Sequence, residues 1–242
     1  MRHVFIVYAV ASIVGLGSCT GGQSTLAPGL ALELTFENAL VPNAMRELDA
    51  QAPPPAIAFC DGIEGRAARF DGSGAALQLR GVDRLQIGRA LTVEFFVNFA
   101  DWSNPYGPGG GLESVVSHSD IFTVAVDPHA WKLQARVKTD ASEEAVRLHG
   151  GHVRTGAWHH VALVLDDARS QARLVLDGEV VSDVPVQGNV AIRANLELVI
   201  GTWFQKNQAF CGALDSLRIW NRALSEQEIR ARAALLPRAS SS

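Results

Sequence analysis

Chemistry in this chain would have to come from a few polar clusters. Two histidines, His159 and His160, stand side by side after Trp158 in TGAWHHVALVLD, residues 155–166. A second pair, His149 and His152, closes the tetrapeptide HGGH. Imidazole is the commonest metal ligand and a general base near neutral pH. A zinc site would need further ligands, and the chain has neither HExxH nor paired-cysteine spacing to supply them. On an extended strand, successive side chains point to opposite faces, so His159 and His160 diverge and cannot chelate one ion. Trp158, His160, Ala162 and Val164 then share one face, and His159, Val161, Leu163 and Leu165 the other. Both histidines are therefore expected to be structural. His149 and His152 are expected in a solvated turn.

Hydrolytic chemistry finds equally little footing. Cleaving a glycosidic bond takes two carboxyl groups roughly 5–9 Å apart. LTVEFFVNF (91–99) offers only Glu94, and LALELTFEN (30–38) offers Glu33 and Glu37. Glu143–Glu144 and Asp166–Asp167 are adjacent pairs in turn-like stretches, where solvation is the ordinary role. No GxSxG elbow, Ser-His-Asp order or phosphate-cradling loop occurs. The expectation is a protein that is not an enzyme, with a glycosidase as the minor alternative.

Recognition is better served. ADWSNPYGPGGGLES (100–114) combines Trp102 and Tyr106 with Asn104. GTWFQKNQAF (201–210) carries Trp203, Gln205 and Asn207. Aromatic faces beside amides suit sugar rings, which stack on the ring and hydrogen-bond through their hydroxyls. Loops on a rigid scaffold are where binding residues concentrate. The other role open to these aromatics is to cover the rim of a sheet. With 21 Lys+Arg against 25 Asp+Glu the formal charge is −4, and basic residues are not interleaved with aromatics, which excludes a nucleic-acid surface.

The first residues are an address. MRHVFIVYAVASIVGLGSC has a short basic start, then an apolar run from Val4 to Leu16 that is too short for a membrane span, which needs about 20 residues. Leu16-Gly17-Ser18-Cys19 resembles the lipobox of bacterial lipoproteins. That resemblance implies a signal peptide over 1–18, cleavage before Cys19, and lipid on its thiol. Thr20 in place of aspartate then implies the outer membrane. Several acyl chains on one cysteine give stable anchoring where a single chain would not. Residues 19–29 read as the lipidated cysteine and a flexible tether. Cys60 and Cys211 remain. In an oxidising compartment they are most simply a disulfide, worth about 5 kcal/mol in the chain-entropy model. Two separate buried thiols are the alternative.

These residues must be positioned by strands. In LALELTF (30–36), LTVEFFVNF and WKLQARVK (131–138) a period of two dominates, most cleanly in the last. Leu91, Val93, Phe95, Val97 and Phe99 fall on one face; Trp131, Leu133, Ala135 and Val137 oppose Lys132, Gln134, Arg136 and Lys138. Such segments are half-buried strands with one wet face. Further strands are expected in 65–72, 76–81, 114–126, 144–149, 158–166, 196–202 and 213–221. Asp177-Gly178 between two apolar runs is a hairpin signal. One helix is convincing: LSEQEIRARAALL (224–236), with Ser225 and Glu228 placed as a capping box. The pattern predicts an all-β, antiparallel two-sheet sandwich over 30–236 with one short C-terminal helix, and a disordered tail over 237–242.

The order of GRAARFDGSGAALQL, LTVEFFVNF, TGAWHHVALVLD, RLVLDGEVV, LVIGT and FCGALDSLRIWNRALSEQEI resembles the laminin G-like, concanavalin A-like jelly-roll domains over nearly all of residues 30–236. The resemblance implies neighbouring first and last strands, and makes Trp158, His160, Asp177 and Gly178 signature residues, with His160 hydrogen-bonded inside the sandwich. It brings the strands of Cys60 and Cys211 within reach of each other. It also implies a calcium ion in many relatives, for which Glu37, Asn38 and Asp215 are the candidate ligands. The expected function is a membrane-anchored, extracytoplasmic module binding a glycan or an envelope or extracellular protein. A structural or adhesive envelope protein is the alternative.

Overall fold

Alternating side chains can bury one face of each strand only if a second sheet covers it. In the computed structural model, described over residues 27–37, 40, 49–51, 57–81, 85, 87–100, 111–118, 121–190, 197–202 and 209–237, two antiparallel sheets do so. Numbered along the chain, the first holds β1 (Leu30–Leu34), β3 (Ile57–Asp61), β4 (Arg66–Asp71), β6 (Leu91–Phe99), β11 (Trp158–Asp166), β12 (Gln171–Leu176), β13 (Glu179–Pro185) and β15 (Cys211–Trp220). The second holds β2 (Asp49–Gln51), β5 (Leu77–Arg80), β7 (Glu113–His118), β8 (Phe122–Asp127), β9 (Lys132–Val137), β10 (Val146–His152) and β14 (Leu198–Ile200). The spatial order is β13-β12-β11-β6-β15-β4-β3 in the first sheet and β10-β9-β8-β7-β14-β5-β2 in the second.

The core lies between them. Leu91, Val93, Phe95, Val97 and Phe99 of β6 all enter it, as do Leu133, Ala135 and Val137 of β9. The expected single strand over 114–126 is two, β7 and β8, which pair antiparallel with His118 opposite Phe122. The first and last strands are neighbours, as expected: β1 pairs with β15, Leu34 opposite Leu217. β4 pairs with the other half of the same edge, Leu214 opposite Ala68. Between the two halves the register with β6 shifts from Asp215 to Arg218, and Ser216 takes a φ of 50°.

The expected disulfide does not form. Cys60 and Cys211 are free thiols. Cys60 lies opposite Ala67 of β4 and Cys211 opposite Asp71 of the same strand, on its other side. Four residues along and two strands across separate them by roughly 13 Å and 9 Å. A disulfide spans at most ~7 Å between Cα atoms.

The HGGH segment belongs to β10, not to a turn. Its glycines permit a close approach of the two sheets' edges: a Cβ on Gly150 would strike the Val181 carbonyl of β13. Asp177 and Gly178 form the expected hairpin, both with positive φ (53° and 86°), the two-residue turn that matches strand twist.

Helix α1 (Glu226–Ala233) starts on the expected capping box: Ser225 Oγ accepts from Glu228 N at 3.3 Å, and Glu228 Oε2 accepts from Ser225 N at 2.8 Å. Ile229 seats the helix on the outer face of the first sheet, against Ala162, Val164, Val175, Trp220 and Leu224. Removing the cap in Ser225→Ala should lower unfolding free energy by about 1 kcal/mol, seen as a lower urea midpoint with an unchanged slope.

Candidate binding groove

The histidine pair diverges as alternation requires. His159 faces the core end of β11, where its Nε2 accepts from Arg154 N at 2.9 Å and its Nδ1 meets Asp177 Oδ2 at 2.8 Å, the pattern of an Nδ1–H tautomer. The other oxygen of Asp177 accepts from His160 N at 2.8 Å, so the hairpin carboxylate clamps both residues. His160 departs from expectation. It shares the face of Ala162, which packs under α1 and not between the sheets. There its Nε2 lies 3.2 Å from Glu94 Oε2, and Glu94 Oε1 accepts from Trp220 Nε1 at 3.0 Å. Arg232 of the helix stacks over Phe96 at 5.0 Å and closes the cluster. Glu94 and His160 are both fully buried, so this acid–imidazole pair cannot reach a substrate.

Glu37 and Asp215 address one place, the turn between β3 and β4. Asp215 Oδ2 accepts from Ile63 N at 2.7 Å and Glu64 N at 2.8 Å, and its Oδ1 from Ser216 Oγ at 3.1 Å. Burial raises the Asp215 pKa, and those N–H groups pull it back. Glu37 Oε1 accepts from Arg66 N at 3.0 Å. The donors converging here are N–H and O–H groups, which serve carboxylates and not a cation. Among the described residues no group of three or more His, Cys, Asp or Glu could hold a metal ion. Asn38 lies outside the described residues. The same turn ties down the helix: Arg232 forks onto Glu64 at 2.6 and 3.0 Å, which holds the Glu64 carboxyl at about 2.

Trp102, Asn104, Tyr106, Trp203, Gln205, Asn207 and Cys19 also lie outside the described residues. The stems of the two aromatic loops are described, and they meet. Ser114 bridges to Ala209, Gly201 N donates to Val115 O at 2.9 Å, and Ala100 N donates to Cys211 O at 3.1 Å. Phe210 pins the second stem into the core between Phe70 and Phe99, at ring distances of 5.5 and 5.8 Å. At this junction Glu113 is buried with one oxygen unpartnered and the other only 3.5 Å from Cys211 N. Burial pushes its carboxyl up to about 7, against the weak pull of that N–H.

Beside the junction, on the outer face of the second sheet, a groove of about 280 Å³ opens. Strand alternation builds it. Val124, Val126, Leu133, Val137 and Leu148 point into the core. Their neighbours Thr123, Ala125, Gln134, Arg136, Arg147 and His149 therefore face outward and line the groove, joined by Leu112 and Ser114 from the first loop's stem. None of the lining residues is a carboxylate, so the paired acids of glycoside hydrolysis have no place in that lining. The sequence placed Gln134 and Arg136 on a wet face but could not show that four strands would gather them with Arg147 and His149.

This architecture agrees with a family comparison. Residues 71–230 match a laminin G family model described as the concanavalin A-like lectin/glucanases superfamily. The chain belongs to that superfamily. No curated sequence matches it. Among solved structures it is similar to the binding domain of Paraclostridial Mosquitocidal Protein 1, with TM-score 0.71 and 13% identity over 85% of this chain and 52% of that one. It is similar to domain 4 of AbnA, a GH43 extracellular arabinanase from Geobacillus stearothermophilus, in complex with arabinotriose, with TM-score 0.60 and 18% identity over 84% of this chain and 98% of that one. The receptor binding domain of botulinum neurotoxin C/D mosaic serotype follows at TM-score 0.66 and 13% identity, over 85% of this chain and 51% of that one. The chain spans about half the length of the toxin domains it matches. At these identities the likeness is one of fold.

Glu113 gives the junction a pH signature. Its folded pKa lies above the unfolded value, so its contribution is fully favourable below about 4.5 and is lost as pH rises through about 7. Glu113→Gln should raise stability at pH 8 by on the order of 3 kcal/mol and leave it unchanged at pH 4. Denaturant titrations at both pH values measure the difference.

Proposed function

We propose that this member of the superfamily is a lipid-tethered, extracytoplasmic binding module that takes a glycan in the groove of the second sheet, with Trp102, Asn104, Tyr106, Trp203, Gln205 and Asn207 as further contact residues. The observation that supports this most is the meeting of both loop stems beside the groove, which Leu112 and Ser114 line from the first stem. Two segments singled out separately for aromatic and amide content thus start from one corner of the fold.

The similar arabinanase domain is described with bound arabinotriose, which supports a sugar ligand. The toxin domains are described as binding or receptor-binding domains, which supports a role in recognition and not catalysis. The LGSC sequence supports anchoring at Cys19, in the outer membrane, and the polar stretch after it supports a domain standing off the bilayer.

A glycan array probed with the detergent-solubilised full chain, with and without calcium, tests this reading. Saturable binding is expected, weakened about tenfold or more in Trp102→Ala and in Trp203→Ala, which corresponds to about 1.4 kcal/mol. A calcium requirement would bring Glu37, Asn38 and Asp215 back as ligands. Absence of any glycan binding, alongside a stable protein partner in crosslinking, would replace the reading with an adhesive envelope protein. For the anchor, Cys19→Ser should leave the membrane fraction and lose incorporation of labelled fatty acid.

A further inference from the structure

We infer that His149 and His152 form a two-imidazole site for a divalent transition metal on the outer face of β10, at the margin of the groove. The site is independent of the glycan reading.

The HGGH spacing alone argues against it. On a regular strand His149 and His152, three positions apart, would point to opposite faces. The structure breaks that regularity between them. His149 stands opposite Gln134 and His152 opposite Lys132, so three steps along β10 match two along β9. The extra residue is Gly151, whose φ of 69° is that of the left-handed glycine in a β-bulge. Both glycines turn inward. A Cβ on Gly150 would strike the Val181 carbonyl, and one on Gly151 would lie 2.9 Å from Leu176 Cδ2. Both histidines are left on the outward face with Gln134 and Lys132, and both are exposed. Partners two residues apart on β9 set their Cα atoms roughly 7 Å apart. At zinc–imidazole bond lengths, two nitrogens on one tetrahedral ion lie about 3.4 Å apart. Two rings leaning together from one face of a strand close that difference.

Both rings are free to turn. His159 and His160 are engaged by Asp177 and Glu94, whereas neither His149 nor His152 has a hydrogen-bond or ion-pair partner among the described residues. The donor atoms choose the ion. Imidazole suits zinc, copper and nickel, whereas calcium and magnesium ask for oxygen ligands, and the groove lining holds no carboxylate. Lys132 and Arg147 share the outward face and repel a bare dication, so nitrogen bonds must hold the ion. Two protein ligands leave coordination positions open to water or to another donor. His149 also lines the groove, so an oxygen donor entering there would find those positions next to it.

The test uses the full chain in detergent, without an added polyhistidine tag and with its thiols alkylated. Calorimetry with Zn2+ should show one saturable equivalent. His149→Ala and His152→Ala should each weaken it roughly tenfold or more, at least the cost of losing a residue that merely supports a ligand. Electron paramagnetic resonance of bound Cu2+ should show two imidazole nitrogens in the parent chain and one in each variant. Ca2+ should not compete. His129→Ala, at an exposed turn after β8, should change nothing, and no variant should lower the metal-free melting temperature. Zn2+ bound as tightly by either the His149 or the His152 variant overturns the site. So does a Cu2+ spectrum with a single nitrogen in the parent chain, or Zn2+ binding that never saturates.

Discussion

Strand β15 has one edge left after pairing with β6, and two strands claim it. β4 takes the first half and β1 the second. Neither can follow through the break at Asp215–Ser216, where buried backbone groups would go unpaired, a cost proteins rarely accept. The Asp215 side chain resolves the conflict by turning the break into an anchor. Its carboxylate reaches the β3–β4 turn and accepts the N–H groups of Ile63 and Glu64. A buried carboxylate is tolerable only with such donors around it. Once the turn is fixed, Glu64 is fixed, and Glu64 is what Arg232 and Arg218 hold. That carboxylate thus adds a polar anchor to the docking of α1, beside the apolar seat made by Ile229.

The helix decides which polar residues remain available for chemistry. Beneath it Glu94 meets His160 and accepts from Trp220 in a buried layer, with His160 Nδ1 left without a partner. Replacing such a network wholesale with apolar groups can be neutral, whereas removing one member leaves an uncompensated charge, so its value lies in fixing the helix position and not in net stability. Of the signature residues, His160 lies in this layer and Asp177 clamps the hairpin. Among the described residues no helix covers the second sheet's outer face, where Arg136 stands opposite Arg147.

Much of the fold was legible because a period of two is a local property. The faces of β6, β9 and β11, the Asp177-Gly178 hairpin and the capping box all depend on residues within a few positions of each other. What the sequence hid is relational. Cys60 and Cys211 each lie in a strand beside β4, yet only register reveals that they sit four residues apart along it. Alternation separated His159 from His160, but only the position of α1 determines which face is the interior. The groove is the plainest case: Gln134 and Arg136 were visible on a wet face, while Arg147 and His149 join them through the β9–β10 ladder. HGGH looked like a turn because its glycines, needed where the sheet edges close, carry the same signature as a loop.

The place of the groove on the sandwich constrains how recognition could operate. A side chain on a paired strand is held by the ladder on both sides, so Arg136 and Gln134 present fixed donors whose ordering was completed on folding. Interactions prepared in this way lose less to ordering when a ligand arrives than contacts made by loops alone. The loop stems are fixed too, through Phe210 in the core and the bridge from Ser114 to Ala209. The strands of the groove can therefore supply direction, and the stems of both loops are anchored at its corner. Helix α1 occupies the outer face of the first sheet, and the groove opens on the outer face of the second.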